Sequence, residues 1–441
     1  MEDNSLMHTV RVGIVGCGTV GTGTAKLLIE NREIIKKRTG LNLELVKVAD
    51  IDWEREREFN IPENLRTTNY KEVIEEADIV VELVGGKTFA KQVILEALEK
   101  GKCVVTANKH LLAEEGIEIF EKARERNLFI GFEASVGGGI PVIKALREGL
   151  VGNRVLNILG ILNGTTNYIL TRMFEENLDF ETALKEAKEK GYAEADPSLD
   201  IDGWDAAHKI AILAILAYGN YIDFKDVYVE GIRNVDKLDV ELGKELGYTL
   251  KLLAIAKKVD SEIEIRVHPT FIHSEEALAK VSGVYNAVMI EGDFVGKTMF
   301  YGQGAGSHPT ASAVVSDIVD AGKFLLCKSK LNLPVNWETE TLKVRKNFYS
   351  RYYLRFDVPD KPGVLAKIAN VLADYNISIA SVLQKEMVCK IAGRENEPIV
   401  PLVILTHKAF EEDIQNSLRE ISQLPVVVDK PVLIRVEEEA Y

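Results

Sequence analysis

From Thr9 to Ile130 short apolar runs alternate with amphipathic stretches: VRVGIV, LELVKVAD, DIVVELV, KCVVTA and LFIGF read as strands, and the segments between them as helices. Buried strands separated by helices predict an α/β fold with a parallel, doubly wound sheet. After Gly137 the rhythm changes. A helix is predicted over about 140–150, then a long apolar strand, RVLNILGILNG, and helices over about 166–176, 180–190 and 204–218. Strands return at EIEIRVHPTFI, NAVMIEG and KTMFYG, ahead of a helix over about 310–325, so this middle region reads as α+β.

A polar stretch containing a proline, KSKLNLPVNWETETLKVRKN, separates that body from the tail. Beyond it, YYLRFDVP, a helix over 363–375, ISIASVLQ, PLVILTH, a helix over about 411–421 and PVLIRVEE give βαββαβ, a small split sheet with helices on one face. The expected division is a dinucleotide-binding domain over 1–135, completed by a segment returning near 305–328. A substrate and oligomerisation domain over 136–328, a linker over 329–350 and a small regulatory domain over 351–436 follow.

A chain of 441 residues exceeds one ordinary core and fits two or three domains. It is 46% hydrophobic and shows no apolar run of about 18 residues, so no membrane span is expected. The first residues, MEDNSLMHTV, lack the basic-then-apolar pattern of a secretory leader, which points to the cytoplasm. A net charge of −14 without a basic stripe disfavours nucleic acid and anionic membranes as partners. Cys17, Cys103, Cys327 and Cys389 are scattered, which argues against a zinc site or a disulfide framework.

The first strand runs straight into Gly16-Cys-Gly18-Thr19-Val20-Gly21 and a helix, the setting in which G-x-G-x-x-G binds a dinucleotide. Gly16 permits the tight turn, Gly18 lets pyrophosphate approach the backbone, and Gly21 lets helix and strand pack closely. Strand two ends at Asp50, whose carboxylate suits the ribose hydroxyls of NAD. It lies further past Gly21 than the usual ~20 residues, however, and Arg55 and Arg57 nearby could neutralise the 2′-phosphate of NADP. The choice between NAD and NADP stays open. Gly85-Gly86 and Asn108-Lys109 end two further strands at the same sheet edge, where Lys109 reads equally as a solvated lysine at a helix start.

In GYAEADPSLDIDGWDAAHKIAILAILAYG an acidic run closes on Lys209 at the mouth of an apolar helix. Asp205 and Lys209 are one turn apart and share a face. On a solvated helix they would be a weak surface pair; on a helix apolar all round, the lysine is half-buried and suits proton transfer to or from a substrate oxygen while nicotinamide carries the hydride. Glu194 and Asp205 would suit a substrate ammonium. His208 and His308 are rival acid–base candidates.

With GCGTVG, VELVGG, VTANK, EASVGGGIP, ILNGTTNYIL, GYAEADPSLDIDGWDAAHK and GQGAGSHPTASAVVSD in this order, residues 9 to 325 closely resemble the homoserine dehydrogenases. The tail, with Asp360-Lys-Pro-Gly363-Val-Leu opening a helix, resembles an ACT domain. The resemblance implies reversible oxidation of L-homoserine to L-aspartate 4-semialdehyde on the route to threonine, methionine and isoleucine. It implies Lys209 as proton donor to the aldehyde oxygen, Lys109 as a second functional lysine, and Glu194, Asp205, Gly191, Tyr192 and Thr165 at the substrate. Gly191, Gly306 and the Thr19-Val20 turn would lie against the cofactor, and Glu133, Val136, Gly138 and Ile140 would bind a monovalent cation, usually sodium, largely through carbonyl oxygens. Many relatives carry arginine where this chain has Ala49, which favours NAD or dual use over NADP alone. The tail would hold an amino-acid effector such as threonine near Asp360 to Gly363, or serve only to dimerise; a homodimer or homotetramer is expected. The alternatives are another dehydrogenase of amino-acid metabolism with an ACT tail, such as phosphoglycerate dehydrogenase, whose catalytic histidine–acid arrangement is not recognisable here, and a non-catalytic cofactor-binding sensor.

Overall fold

The computed structural model describes residues 9–327, 338–385 and 398–437. Cys389 and the first part of the expected linker, 329–337, lie outside them. Six strands, β1 (Thr9–Val15), β2 (Asn42–Ala49), β3 (Arg66–Thr67), β4 (Ile79–Glu82), β5 (Cys103–Thr106) and β6 (Ile130–Gly131), form one sheet in the order β3-β2-β1-β4-β5-β6. Every pairing is parallel. The order reverses at β1, so the crevice between the ends of β1 and β4 is where such a fold takes its ligand.

The glycines after β1 do distinct jobs. Gly16 has φ +97° and a side chain there would strike the Leu83 carbonyl at 2.6 Å; at Gly21 it would strike the Gly16 carbonyl at 2.0 Å. A side chain on Gly18 would meet nothing within 4 Å, leaving that face of the turn open to a ligand. The helix Ser307–Cys327 returns from far along the chain to this unit, burying Ala313, Val314, Ile318 and Phe324 in its core. Gly23 permits the approach, since a Cβ there would meet Ser307 Oγ at 2.6 Å.

The region predicted as one helix over 140–150 is a single turn, Val142–Lys144, followed by a wide turn over Ala145–Gly149 in which Leu150 N–H reaches the Ala145 carbonyl. Pro141 has no N–H to give, and the first free N–H groups, of Ile143 and Lys144, go to the Glu133 carboxylate instead. A strand absent from the sequence reading, Tyr248–Val259, pairs along its whole length with Glu262–His273. Its first nine residues are all buried, so it shows no alternation to betray it.

The tail is stitched to the body. Its last strand, Val432–Glu437, pairs in parallel with Glu262–His273 through Thr270, Phe271 and Ile272, which joins the middle and tail strands into one 11-stranded sheet. Period-two alternation explains how Tyr349–Pro359 serves both sides: Tyr352, Leu354 and Phe356 pack under the tail helices Val364–Asp374 and Glu411–Ile421, while Tyr353 joins the core of the body. Arg355 follows Tyr353 on that face and binds the buried Asp239 at 2.6 Å.

Candidate active site

The helix Trp204–Tyr218 starts after Gly203, which has φ +88°, and buries Ile210, Leu213 and Ala214. Trp204 is exposed, but burial begins at the next residue, and this places Asp205 and Lys209 away from water. Lys209 Nζ donates to Asp205 Oδ2 at 2.7 Å and to the Leu162 carbonyl at 2.6 Å. From the end of β5, Lys109 Nζ reaches the other oxygen, Oδ1, at 2.8 Å. One carboxylate thus clamps two ammonium groups.

Asn163 completes the group by donating to Asp205 Oδ2 at 2.8 Å and to Asp200 Oδ1 at 2.6 Å. Thr165 Oγ lies 2.6 Å from the Tyr192 carbonyl and 3.1 Å from Asp200 Oδ2. Asn163 also caps the helix Gly164–Glu176, since its Oδ1 accepts from Thr166 N–H at 2.8 Å. Glu194, Tyr192 and Gly191 form the exposed edge of the cluster.

Burial opposes the charge on Asp205, but the ammonium groups of Lys209 and Lys109 outweigh it and hold the carboxyl well below its usual range. Burial, against the pull of Asp205, lowers Lys209. Asp205 raises Lys109, whose side chain is 40% exposed. Burial and then the charge on Asp205 raise Asp200. The two lysines are therefore unlike: Lys209 is buried and fixed, Lys109 has room to move.

At the other end of the crevice, Cys17 N–H donates to Asp50 Oδ2 at 2.7 Å, and Arg57, 3.4 Å from Asp50, donates to the Cys17 carbonyl at 2.9 Å. Arg57 is buried and consumed by these contacts, while Arg55 lines the open pocket with Gly18, Thr19 and Ser307. Ser307 Oγ donates to the Thr19 carbonyl at 3.0 Å, which sets Gly306 against the glycine turn. Val20 continues that turn as the second residue of the helix Thr19–Glu30. Gly86 has φ +84° and its carbonyl accepts from Asn108 Nδ2 at 2.7 Å, which holds the Gly85-Gly86 turn beside the start of the Lys109 helix. Beneath this turn Glu82, pushed up to about 7 by burial, accepts from Val84 N–H at 2.7 Å and Thr106 Oγ at 2.6 Å.

The Glu133 to Ile140 loop stands apart from the lysine cluster. Burial pushes the Glu133 carboxyl up to about 7; its N–H donates to Asp317 Oδ2 at 2.7 Å, and Asp317 is pushed up to about 8 by burial and by Glu133. The Ile140 carbonyl accepts from Val142 N–H at 2.8 Å. Among the described residues, no donor is paired with the carbonyl oxygens of Val136 or Gly138, although both residues are buried.

Asn163 and Asp200 are part of the cluster yet escaped the sequence reading. Asp200 stood in the acidic run beside residues that were chosen; Asn163, in ILNGTTN, reads as an ordinary helix cap. Of the rival histidines, His208 is stacked on Phe224 with ring centroids 4.5 Å apart and bonded to Glu114, and His308 is exposed with Glu58 at 2.8 Å.

A doubly wound sheet with a glycine-rich turn at its switch point, facing a buried lysine–aspartate cluster, defines a nicotinamide-nucleotide oxidoreductase. Residues 16–133 match the NAD-binding domain of homoserine dehydrogenase, 141–319 match homoserine dehydrogenase itself, and 352–426 match the ACT domain. The homoserine dehydrogenase of Neisseria gonorrhoeae is 43% identical over 440 residues, 98% of this chain and 99% of its own length. That of Bacillus subtilis is 39% identical over 434 residues, 98% of this chain and 99% of its own. The crystal structure of a homoserine dehydrogenase from Thiobacillus denitrificans, 42% identical, superposes with a TM-score of 0.89 over 98% of this chain and 99% of its own. A hyperthermophilic archaeal homoserine dehydrogenase mutant, solved in complex with NADPH, is 31% identical with a TM-score of 0.62, over 74% of this chain and 100% of its own. The chain belongs to the homoserine dehydrogenase family and carries a C-terminal ACT domain.

Proposed function

We propose that the lysine–aspartate cluster oxidises L-homoserine to L-aspartate 4-semialdehyde and reverses the reaction, with Lys209 as the proton-transferring group. The single observation that carries this reading is Lys209 itself, buried at 2.7 Å from Asp205 and 2.6 Å from the Leu162 carbonyl, within reach of a crevice built for a dinucleotide. A nicotinamide nucleotide bound against Gly16, Gly18, Thr19, Val20, Gly21, Gly85, Gly86, Gly191 and Gly306 would accept the hydride from the alcohol carbon. Lys209, as the free amine, takes the hydroxyl proton in that direction and returns it to the aldehyde oxygen in the other. Asp205 holds the amine in place. A substrate ammonium reaching Asp205 displaces one lysine contact, and exposed Lys109 is the one free to yield; Glu194 at the rim supplies a second negative charge, and Tyr192 and Thr165 wall the site.

Asp50 suits the ribose of NAD and Arg55 the phosphate of NADP, so both cofactors are expected to serve. The unpaired carbonyls of Val136 and Gly138 fit a monovalent cation, sodium by the family resemblance, with Glu133 and Ile140 shaping the loop around it. The ACT domain is expected to take an amino-acid effector such as threonine near Asp360 to Gly363, in a cytoplasmic homodimer or homotetramer. Among the described residues no helix is long and apolar enough to cross a membrane.

The test is the initial rate of nicotinamide reduction by L-homoserine at alkaline pH, with NAD and NADP separately, with and without threonine. Turnover with both cofactors and inhibition by threonine are the expected results. Silence with both, from folded chain that binds cofactor, would leave a non-catalytic sensor.

A further inference from the structure

Directly behind the two lysines, His110 and Glu114 lie one turn apart on the helix Lys109–Arg126, and His208 faces them from the helix Trp204–Tyr218. Glu114 Oε1 is 2.9 Å from His110 Nε2 and 3.2 Å from His208 Nε2. One ligand atom from each residue falls within 4.8 Å of the other two. Phe224 stacks on the His208 ring, which is 4% exposed, and fixes its plane. Lys87 occupies the other Glu114 oxygen at 2.5 Å and leaves Oε1 turned to the imidazoles.

Two imidazole nitrogens and a carboxylate oxygen, with a fourth position open, are a donor set for zinc and its neighbours. Bonds of about 2.0–2.1 Å in a tetrahedron set the ligand atoms roughly 3.4 Å apart. Two of the three spacings already lie close to that value. The third closes by movement of His110, whose side chain is 40% exposed.

We propose that His110, Glu114 and His208 bind a divalent transition metal of the zinc, cobalt and nickel class. The ion clips the helix that begins with Lys109 to the helix that carries Lys209, and so sets how far Lys109 can move from Asp205. Without metal the same three groups are a hydrogen-bonded cluster.

The test is titration of the full-length, chelator-treated chain with Co2+, followed by visible absorbance and equilibrium dialysis. One ion per chain is expected, displaced by Zn2+. His110→Ala and Glu114→Gln, both at partly exposed positions, are each expected to weaken binding by at least about 10-fold with unchanged thermal melts. His308→Ala, away from the cluster, should bind as the parent does. On the unaltered chain, the electron paramagnetic resonance of bound Cu2+ should show couplings from two imidazole nitrogens. Absence of binding, equal binding in both cluster variants, or a spectrum without imidazole nitrogen would overturn the proposal. These readouts do not involve turnover, so their failure leaves the assignment of Lys209 untouched.

Discussion

Asp205 divides its two oxygens between Lys209 and Lys109, and the different burial of those lysines gives them different properties. Lys251 shows the same physics with a weaker counter-charge, since Glu175 is close enough to pull it upward but makes no ion pair with it among the described residues. It is 2% exposed, donates to the Val281 carbonyl at 2.5 Å and Asn167 Oδ1 at 3.1 Å, and burial outweighs Glu175 and pushes it down to about 8. The folded chain releases this proton near pH 8, whereas the unfolded chain keeps it to about 10.4. Between those values the unfolded state binds more protons, so this residue's contribution to stability rises with pH. Lys251→Met is therefore expected to compare more favourably with the parent at pH 7 than at about pH 9.5, read as the difference in melting temperature at each pH. A difference that does not change with pH would show that Lys251 titrates as an ordinary lysine. At this scale the sequence was legible where one turn of helix joins the partners, as with Asp205 and Lys209. It was silent on Asn163 and Lys251, whose partners lie on other elements.

Elements reveal themselves in sequence when an apolar run is unbroken and bounded by turn residues. The helix Trp204–Tyr218 and the strands of the N-terminal sheet follow such runs, whereas Tyr248–Val259, whose buried run carries Thr249 and Lys251, was missed. The tail's own elements were legible, but its fusion to the body was not, because strand partners far apart in sequence leave no local mark. The junction carries buried charge: Arg435 holds Glu411 and Glu230, each at 2.6 Å, and Arg355 holds Asp239 at 2.6 Å. Arg355 also holds Asp357 at 2.9 Å, so it keeps a partner when Asp239 is removed, whereas the fully buried Asp239 loses its cation when Arg355 is removed. Asp239→Ala is expected to cost about 1.5–3 kcal/mol in urea denaturation and Arg355→Met about 3–5 kcal/mol. A loss below about 1 kcal/mol, the scale of a surface pair, would contradict the view that this junction is dry.

Across the whole molecule, distant segments converge on one crevice. The glycine turn follows β1, Lys109 follows β5, Asp205 and Lys209 open a helix of the middle region, and the Ser307–Cys327 helix returns to close the nucleotide-binding unit. The order of motifs along the chain made this family legible, while the clamp geometry required the fold. The most direct test of the account is steady-state L-homoserine oxidation by Lys209→Ala beside the parent, with cofactor affinity measured on both by fluorescence titration. The account predicts a kcat at least about 100-fold lower with cofactor affinity essentially unchanged, the signature of a lost acid–base group. Undiminished turnover would contradict it and remove Lys209 from the chemistry.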